Sequence, residues 1–354
     1  MKNVSQASKL LPYNSLWLDC VKNNLMSILI SYNDSLSTLP FTFKSQYWKK
    51  LTLQKFDSQE TYKSLLEQGL FLPKVVYTNE ILYSFFDITE IDITSSDIDS
   101  LNELIRDTLS QQKFIFLSID RFFYPDGRES NKIHFIHPIF IHNISDMYEL
   151  DNNYEAIEDC LSPGQMHYYN INFEVIYRST KYLIDSGQNV RFMTVSLNEQ
   201  KVNDYKTDYS KSILLDIRNN IARDEIVYNG EVDLYYQLGI SALEDYFNEF
   251  EEITSTWNDE SIFALRTTSF IQNHKKNESI FNHLYASEGY SNKSILELAE
   301  LCRNLSNEWE VFKNSTLKCR LKKNSNNISI LKENLQRIIL LERESIKNMR
   351  FVIV

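Results

Sequence analysis

The spacing of apolar residues changes near residue 172, and this change constrains the fold more than any other feature of the chain. Before it, short apolar runs such as Lys113–Asp120 and Ile133–Ile144 have the length of strands. Nearly all of the chain after residue 207 has helical spacing. The sequence therefore predicts an α+β protein. A helix packed on a mostly antiparallel sheet is expected over residues 1–172, followed by a mostly helical domain over residues 173–354.

A cysteine lies at the start of the first predicted helix. Five apolar residues recur there at helical spacing: Val21, Leu25, Ile28, Leu29 and Tyr32. Asp19 precedes them at the N-cap position, so Cys20 lies in the first turn. The positive end of the helix dipole and the free backbone N–H groups favour a thiolate there, whereas the neighbouring Asp19 disfavours it. Cys20 is therefore either a nucleophile or an inert, packed cysteine.

The histidines are concentrated in one part of the chain. Four of the six lie between residues 134 and 167: His134, His137, His142 and His167. They have no HxH or HExxH spacing, so we predict no metal site, and a packed or solvated strand histidine is the alternative. A helix cysteine followed more than 100 residues later by a strand histidine is the chain order of papain-like cysteine enzymes.

Four segments, in this order and spacing, carry a family resemblance. They are CVKNNLMSIL at 20–29, FIFLSIDRFFYP at 114–125, HPIFIHNI at 137–144 and EDCLSPGQMHYYNINFEVI at 158–176. Together they resemble the N-terminal family of the butirosin-biosynthesis H proteins, which are relatives of the C39-type, papain-like cysteine peptidases. The later segments HKKNESIFNHLY and NEWEVFKNSTLK resemble the helical second half of that family.

The resemblance implies a set of catalytic residues. Cys20 is the expected nucleophile and His137 the expected base. In a regular hairpin, Asp159 opposes His137 if the turn is centred near residue 148, whereas Asp151 does so if it is centred near 144. We favour Asp159 and keep Asp151 as the alternative. Asn14 is a candidate donor to an oxyanion, together with the Cys20 backbone N–H.

The resemblance also implies an activity. Members of the butirosin system move an acyl group from an acyl carrier protein to an amine of a small molecule, so we expect a bacterial acyltransferase of antibiotic-type biosynthesis. Its partners would be an acyl carrier protein and an amine acceptor. The alternatives are a non-catalytic scaffold that binds the carrier, and a cytosolic C39-like peptidase or thioesterase.

Composition excludes several other classes of function. The 37 basic and 48 acidic residues give a net charge of −11, which argues against nucleic-acid binding. Glycine is only 7 of 354 residues, no phosphate-binding glycine motif occurs, and we predict no cofactor. We predict a cytoplasmic protein, because no apolar run is long enough for a membrane span or a signal peptide. Acidic carrier proteins need a basic patch, so we expect Lys275-Lys276 or Arg320–Lys323 to lie near Cys20.

Overall fold

A computed structural model describes residues 10–15, 17–51, 59–78, 81–145, 153–162, 164–205, 211–229, 234–256, 260–286, 293–321 and 328–352. Its helices are α1 (Cys20–Tyr32), α2 (Gln59–Glu67), α3 (Leu101–Ser110), α4 (Phe173–Asp185), α5 (Glu199–Asp204), α6 (Lys211–Ala222), α7 (Ile240–Asn248), α8 (Phe250–Thr256), α9 (Glu260–Ala286), α10 (Lys293–Leu321) and α11 (Ile328–Val352). Its strands are β1 (Lys44–Lys50), β2 (Lys74–Thr78), β3 (Phe86–Ile93), β4 (Phe114–Asp120), β5 (Ile136–Ile144), β6 (Asn153–Glu158), β7 (His167–Asn172), β8 (Val190–Leu197), β9 (Ile226–Asn229) and β10 (Leu234–Leu238). In these parts of the chain, no helix combines the length and the apolar character that a membrane span requires.

The chain forms two compact units, and neither is continuous in sequence. The first contains residues 1–39 and 80–207, and the second contains residues 40–79 and 208–354. The units therefore do not follow the predicted division at residue 172. Strand β8, which that division assigned to the helical domain, pairs with both β3 and β4 of the first unit. Strand β1, which it assigned to the first domain, pairs with β10 of the second.

The first unit is built on a six-stranded sheet in the order β3-β8-β4-β5-β6-β7, in which every pair is antiparallel. Strand β4 lies between β8 and β5, which explains its almost continuous apolar sequence, FIFLSID. Apolar residues of α3 and α4 share one core with Ile119 and Ile139 of the sheet. Helix α1 is tied to β6 by a hydrogen bond from Asn24 to the Ile157 carbonyl. The predicted combination of a helix with an antiparallel sheet is confirmed.

The second unit is rich in helix but also contains a sheet. The predicted helical character is confirmed by α9, α10 and α11, and the apolar stripe of α11 is buried: Leu331, Leu335, Ile338, Ile346 and Met349. The prediction was wrong for residues 226–229 and 234–238, where helical spacing was expected. There β9 and β10 complete a four-stranded antiparallel sheet in the order β2-β1-β10-β9. The pairing of β10 with β1, far away in sequence, decides the conformation of this segment.

One glycine of the second unit is required by the backbone. Gly239, directly before α7, has φ of +69°. A Cβ atom at this position would lie 1.6 Å from the Arg223 carbonyl oxygen. Only glycine fits this combination of left-handed backbone and close approach. The junction between β10 and α7 therefore depends on residue 239 having no side chain.

Candidate active site

Two side chains fix the start of α1, which carries Cys20. The Asp19 carboxylate caps the helix by accepting a 2.8 Å hydrogen bond from the Lys22 backbone N–H. The buried Asn23 accepts a hydrogen bond from the Ser15 N–H and donates to the Ser15 and Leu18 carbonyls. These contacts hold the loop before the helix against its first turn. Cys20 is the first residue of the helix and is partly exposed.

A buried arginine gathers the other polar groups of the site. The Arg121 side chain is only 1% exposed. Its Nη2 lies 2.9 Å from His137 Nδ1 and 2.5 Å from Glu158 Oε2, and it also pairs with the Asp159 carboxylate. Glu158 Oε1 lies 3.4 Å from His137 Nδ1. A guanidinium group only donates hydrogen bonds, so in this contact the ring nitrogen of His137 accepts.

Strand register explains why Glu158 contacts the histidine. Phe140 pairs with Ile157 across β5 and β6, so Ile139 stands opposite Glu158. Paired residues of antiparallel strands share a face, and His137 lies on the face of Ile139 because it is two residues away. The expected hairpin placed Asp159 opposite His137. The observed pairing of β5 with β6 is shifted by one residue from that register. Glu158 was missed, although it is the neighbour of the predicted Asp159.

The other predicted partners of His137 have different outcomes. Asp159 follows the end of β6, and one of its carboxylate oxygens lies within 4.8 Å of a His137 ring nitrogen. Asp151, the alternative, lies outside the described residues. The roles of Asp159 and Asp151 as third catalytic residue stay predictions, and Glu158 joins them as a candidate.

Charges around Cys20 oppose a thiolate. Burial, followed by Glu158, Asp19 and Asp159, raises the pKa of the Cys20 thiol to about 12, and Arg121 opposes them. Burial disfavours ionisation of Asp159, but Arg121 beside it holds the pKa of that carboxyl below its usual value. The same three side chains that surround His137 therefore act on Cys20. The close approach of Cys20 Sγ to His137 stays a prediction.

Asn14, the predicted oxyanion donor, is engaged with the backbone. Its Oδ1 accepts a 2.5 Å hydrogen bond from the Met166 N–H, and its Nδ2 donates to the Met166 and Pro12 carbonyls at 3.4 and 3.5 Å. These bonds attach the segment before α1 to the segment before β7. The oxyanion role stays a prediction, and it requires the amide group to leave one of these carbonyls.

The remaining histidines do not form a metal site with His137. His134 Nδ1 lies 2.6 Å from Oδ2 of the buried Asp120, and its ring is stacked between Phe122 and Tyr182. Within the described ranges, the group that could hold a metal ion consists of His137, Glu158 and Asp159. Arg121 already contacts a nitrogen or oxygen atom of each of these three residues. Their lone pairs are thus directed at the Arg121 guanidinium group.

The predicted basic pair Lys275-Lys276 does not lie wholly on the surface. Lys276 is fully buried, and its Nζ donates to the Phe43 carbonyl. Arg320 donates to the Thr254 carbonyl, and residues 322 and 323 lie outside the described chain. The expected carrier-binding role therefore stays a prediction for Lys275 and for the Arg320–Lys323 cluster.

Comparison with known proteins adds no further identification. A scan against models of protein families finds no match, and no curated protein matches the chain significantly. The resemblance to the butirosin-biosynthesis family therefore depends on the order and spacing of the four segments.

Proposed function

We propose that this protein is a cytoplasmic, papain-like cysteine acyltransferase of bacterial antibiotic-type biosynthesis. Cys20 takes an acyl group from a carrier-protein thioester and passes it to an amine. The observation that carries the proposal is the shared cluster of Arg121, Glu158 and Asp159. All three act on the Cys20 thiol, and all three lie against His137. A cysteine at a helix start that is coupled in this way to a histidine suits nucleophilic catalysis.

The reaction has two halves. In the first, His137 takes the thiol proton while Cys20 Sγ attacks the thioester carbonyl, and the carrier thiol leaves with that proton. In the second, the acceptor amine attacks the Cys20 thioester, an amide bond forms and the S–C bond breaks. His137 takes the amine proton and returns it to Cys20 Sγ. No cofactor or external oxidant enters this balance.

The high pKa of the Cys20 thiol determines how the first half proceeds. With a pKa of about 12, Cys20 is a neutral thiol at physiological pH. His137 must therefore remove the proton during attack, as a general base, and a resting thiolate–imidazolium pair is not part of this mechanism. His137 must also leave Arg121 to accept that proton. A thiol of high pKa is intrinsically the stronger nucleophile once its proton is removed.

The direct test is acyl transfer to the protein. We expect the wild type, incubated with an acyl-loaded carrier protein, to gain the mass of one acyl group on Cys20 in peptide mass spectrometry. Cys20→Ala abolishes this adduct. Cys319→Ala is the matched control, because Cys319 is also a partly exposed cysteine and lies in the second unit. Product formation by Cys20→Ala, with no adduct on the wild type, refutes the proposal.

A non-catalytic carrier-binding scaffold is the second candidate, and one observation favours it. Arg121 lies within 3.3 Å of both ring nitrogens of His137, so the histidine is engaged by a cation and not by the thiol. If this contact persists with carrier protein bound, Cys20 keeps its proton. The scaffold function predicts that carrier binding survives in Cys20→Ala and His137→Ala, and that neither variant reduces product formation.

A further inference from the structure

Large apolar side chains are exposed beside both reactive groups of the candidate site. Phe135 is 45% exposed, and its ring is stacked 6.0 Å from the His137 ring and 5.7 Å from the Arg121 guanidinium carbon. Tyr83 is 41% exposed, and Lys22, Asp19 and Cys20 are near enough to influence the pKa of its hydroxyl, which burial raises. The Phe135 ring thus lies beside His137, and the Tyr83 ring is near Cys20.

Two more apolar side chains are exposed in the segment that carries Phe135 and leads into β5. Ile133 and Ile136 are 63% and 47% exposed, respectively. The segment is fixed in place, because the Phe135 N–H donates to Asp120 Oδ1 at 2.9 Å and its carbonyl accepts from the Arg121 N–H at 3.0 Å. Exposed apolar side chains next to a reactive group are places where apolar ligand groups bind.

The charges at the site point to the same kind of ligand. Two basic side chains near Cys20 already have carboxylate partners: Lys22 pairs with Asp19, and Arg121 pairs with Glu158 and Asp159. Together these five groups carry one net negative charge. A carboxylate on a substrate would meet this excess of negative charge, and both of these cations already have carboxylate partners.

We infer that the site selects thioesters of uncharged, apolar acyl groups, which bind against Phe135 and Tyr83. The inference rests on the proposed function and deepens it, because it names the substrate class of the same cysteine. The acyl chain lies along the exposed rings while its carbonyl faces Cys20 Sγ, and transfer to the sulfur releases the thiol of the donor. The bond that forms is the Cys20 thioester, and the bond that breaks is the thioester of the donor.

The test compares two small thioesters of equal chain length. Single-turnover acylation of Cys20 is followed by mass spectrometry with butyryl- and succinyl-N-acetylcysteamine, which differ in a terminal methyl against a carboxylate. We expect butyryl transfer to be about tenfold faster or more. Phe135→Ser reduces the butyryl rate several-fold and leaves the succinyl rate unchanged. The control is Ile91→Ser, because Ile91 is also 45% exposed but lies on β3, at the edge of the sheet.

The outcomes separate the inference from the proposed function. Equal rates for the two thioesters, or an equal effect of Phe135→Ser and Ile91→Ser, overturn the inference and leave acyl transfer intact. If Phe135→Ser slows transfer only from a carrier protein, the apolar surface binds the carrier and the inference is wrong. If neither thioester nor an acyl-loaded carrier acylates Cys20, the proposed function itself fails.

Discussion

Replacing the buried Lys276 by methionine should stabilise the protein, by an amount that depends on pH. Lys276 is fully buried on α9, its Nζ donates to the Phe43 carbonyl, and the Tyr77 ring lies 5.5 Å away. Among the described residues, no carboxylate lies within ion-pair distance of it. Burial lowers the pKa of Lys276 from 10.5 to about 7. The charged ammonium group therefore has a higher free energy in the folded protein than in the unfolded chain, so it lowers the stability of the fold.

The magnitude follows from that difference in pKa. Each pKa unit is worth about 1.4 kcal/mol, so a decrease from 10.5 to about 7 corresponds to about 5 kcal/mol. Between these two values the unfolded chain binds the proton and the folded protein does not, so the Lys276 contribution to stability rises with pH. Below pH 7 the full penalty applies, and above 10.5 it vanishes. The variant also loses the hydrogen bond to the Phe43 carbonyl, which costs about 1–3 kcal/mol of stability. The net effect is that Lys276→Met is more stable than the wild type by a few kcal/mol at pH 6.

The assay is urea-induced unfolding of the wild type and of Lys276→Met at a series of pH values from 6 to 10. The difference in unfolding free energy isolates Lys276, because all other titrating groups are common to both proteins. It should be largest at pH 6 and shrink steadily above pH 7. Lys275→Met is the matched control, because Lys275 is the exposed neighbour on the same helix. A difference that is independent of pH, or a variant destabilised at pH 6, refutes the reasoning.

Two other predictions concern the backbone at Gly239 and the thiol of Cys20. Gly239→Ala should destabilise the protein by more than about 2 kcal/mol in thermal or urea unfolding, because its Cβ would meet the Arg223 carbonyl. Gly187→Ala, with φ of +73° and nothing within 4 Å, should lower stability by only about 1 kcal/mol; equal losses contradict the steric argument. With a pKa of about 12, Cys20 should react with iodoacetamide more slowly than free cysteine at pH 8, and its rate should still rise above pH 10. A rate that levels off below pH 8 would reveal a preformed thiolate.

Interactions between distant segments decided the features that the sequence did not reveal. Strand β8 belongs to the first unit because β3 and β4 pair with its two edges, and β10 is a strand because β1 pairs with it. All three pairings join segments far apart along the chain. Local spacing of apolar residues carries no information about which strand lies at which edge. The predicted boundary at residue 172 therefore assigned residues 40–79 and 173–207 to the wrong units.

The candidate site shows the same contrast at the level of single residues. The helix start at Cys20 and the strand that carries His137 are local patterns, whereas the choice of His137 among the four clustered histidines is what the family resemblance implied. Glu158 faces His137 only because Phe140 pairs with Ile157, and a shift of one residue in that register would exchange Glu158 for Asp159. Arg121 has no signal of its own, since its ion pairs depend on where β4 and β6 end relative to each other.

The sequence by itself determined the helical stripes, the buried strand β4, the position of Cys20 in the first turn of α1 and the chain order of cysteine and histidine. These follow from residue spacing over one or two turns or over a single strand. Only the tertiary structure decided that Glu158 contacts His137 and that the buried Arg121 pairs with Glu158. It also decided that Lys276 is buried and not exposed. Those outcomes depend on strand register and on packing between distant elements, and both are set by contacts that span the chain.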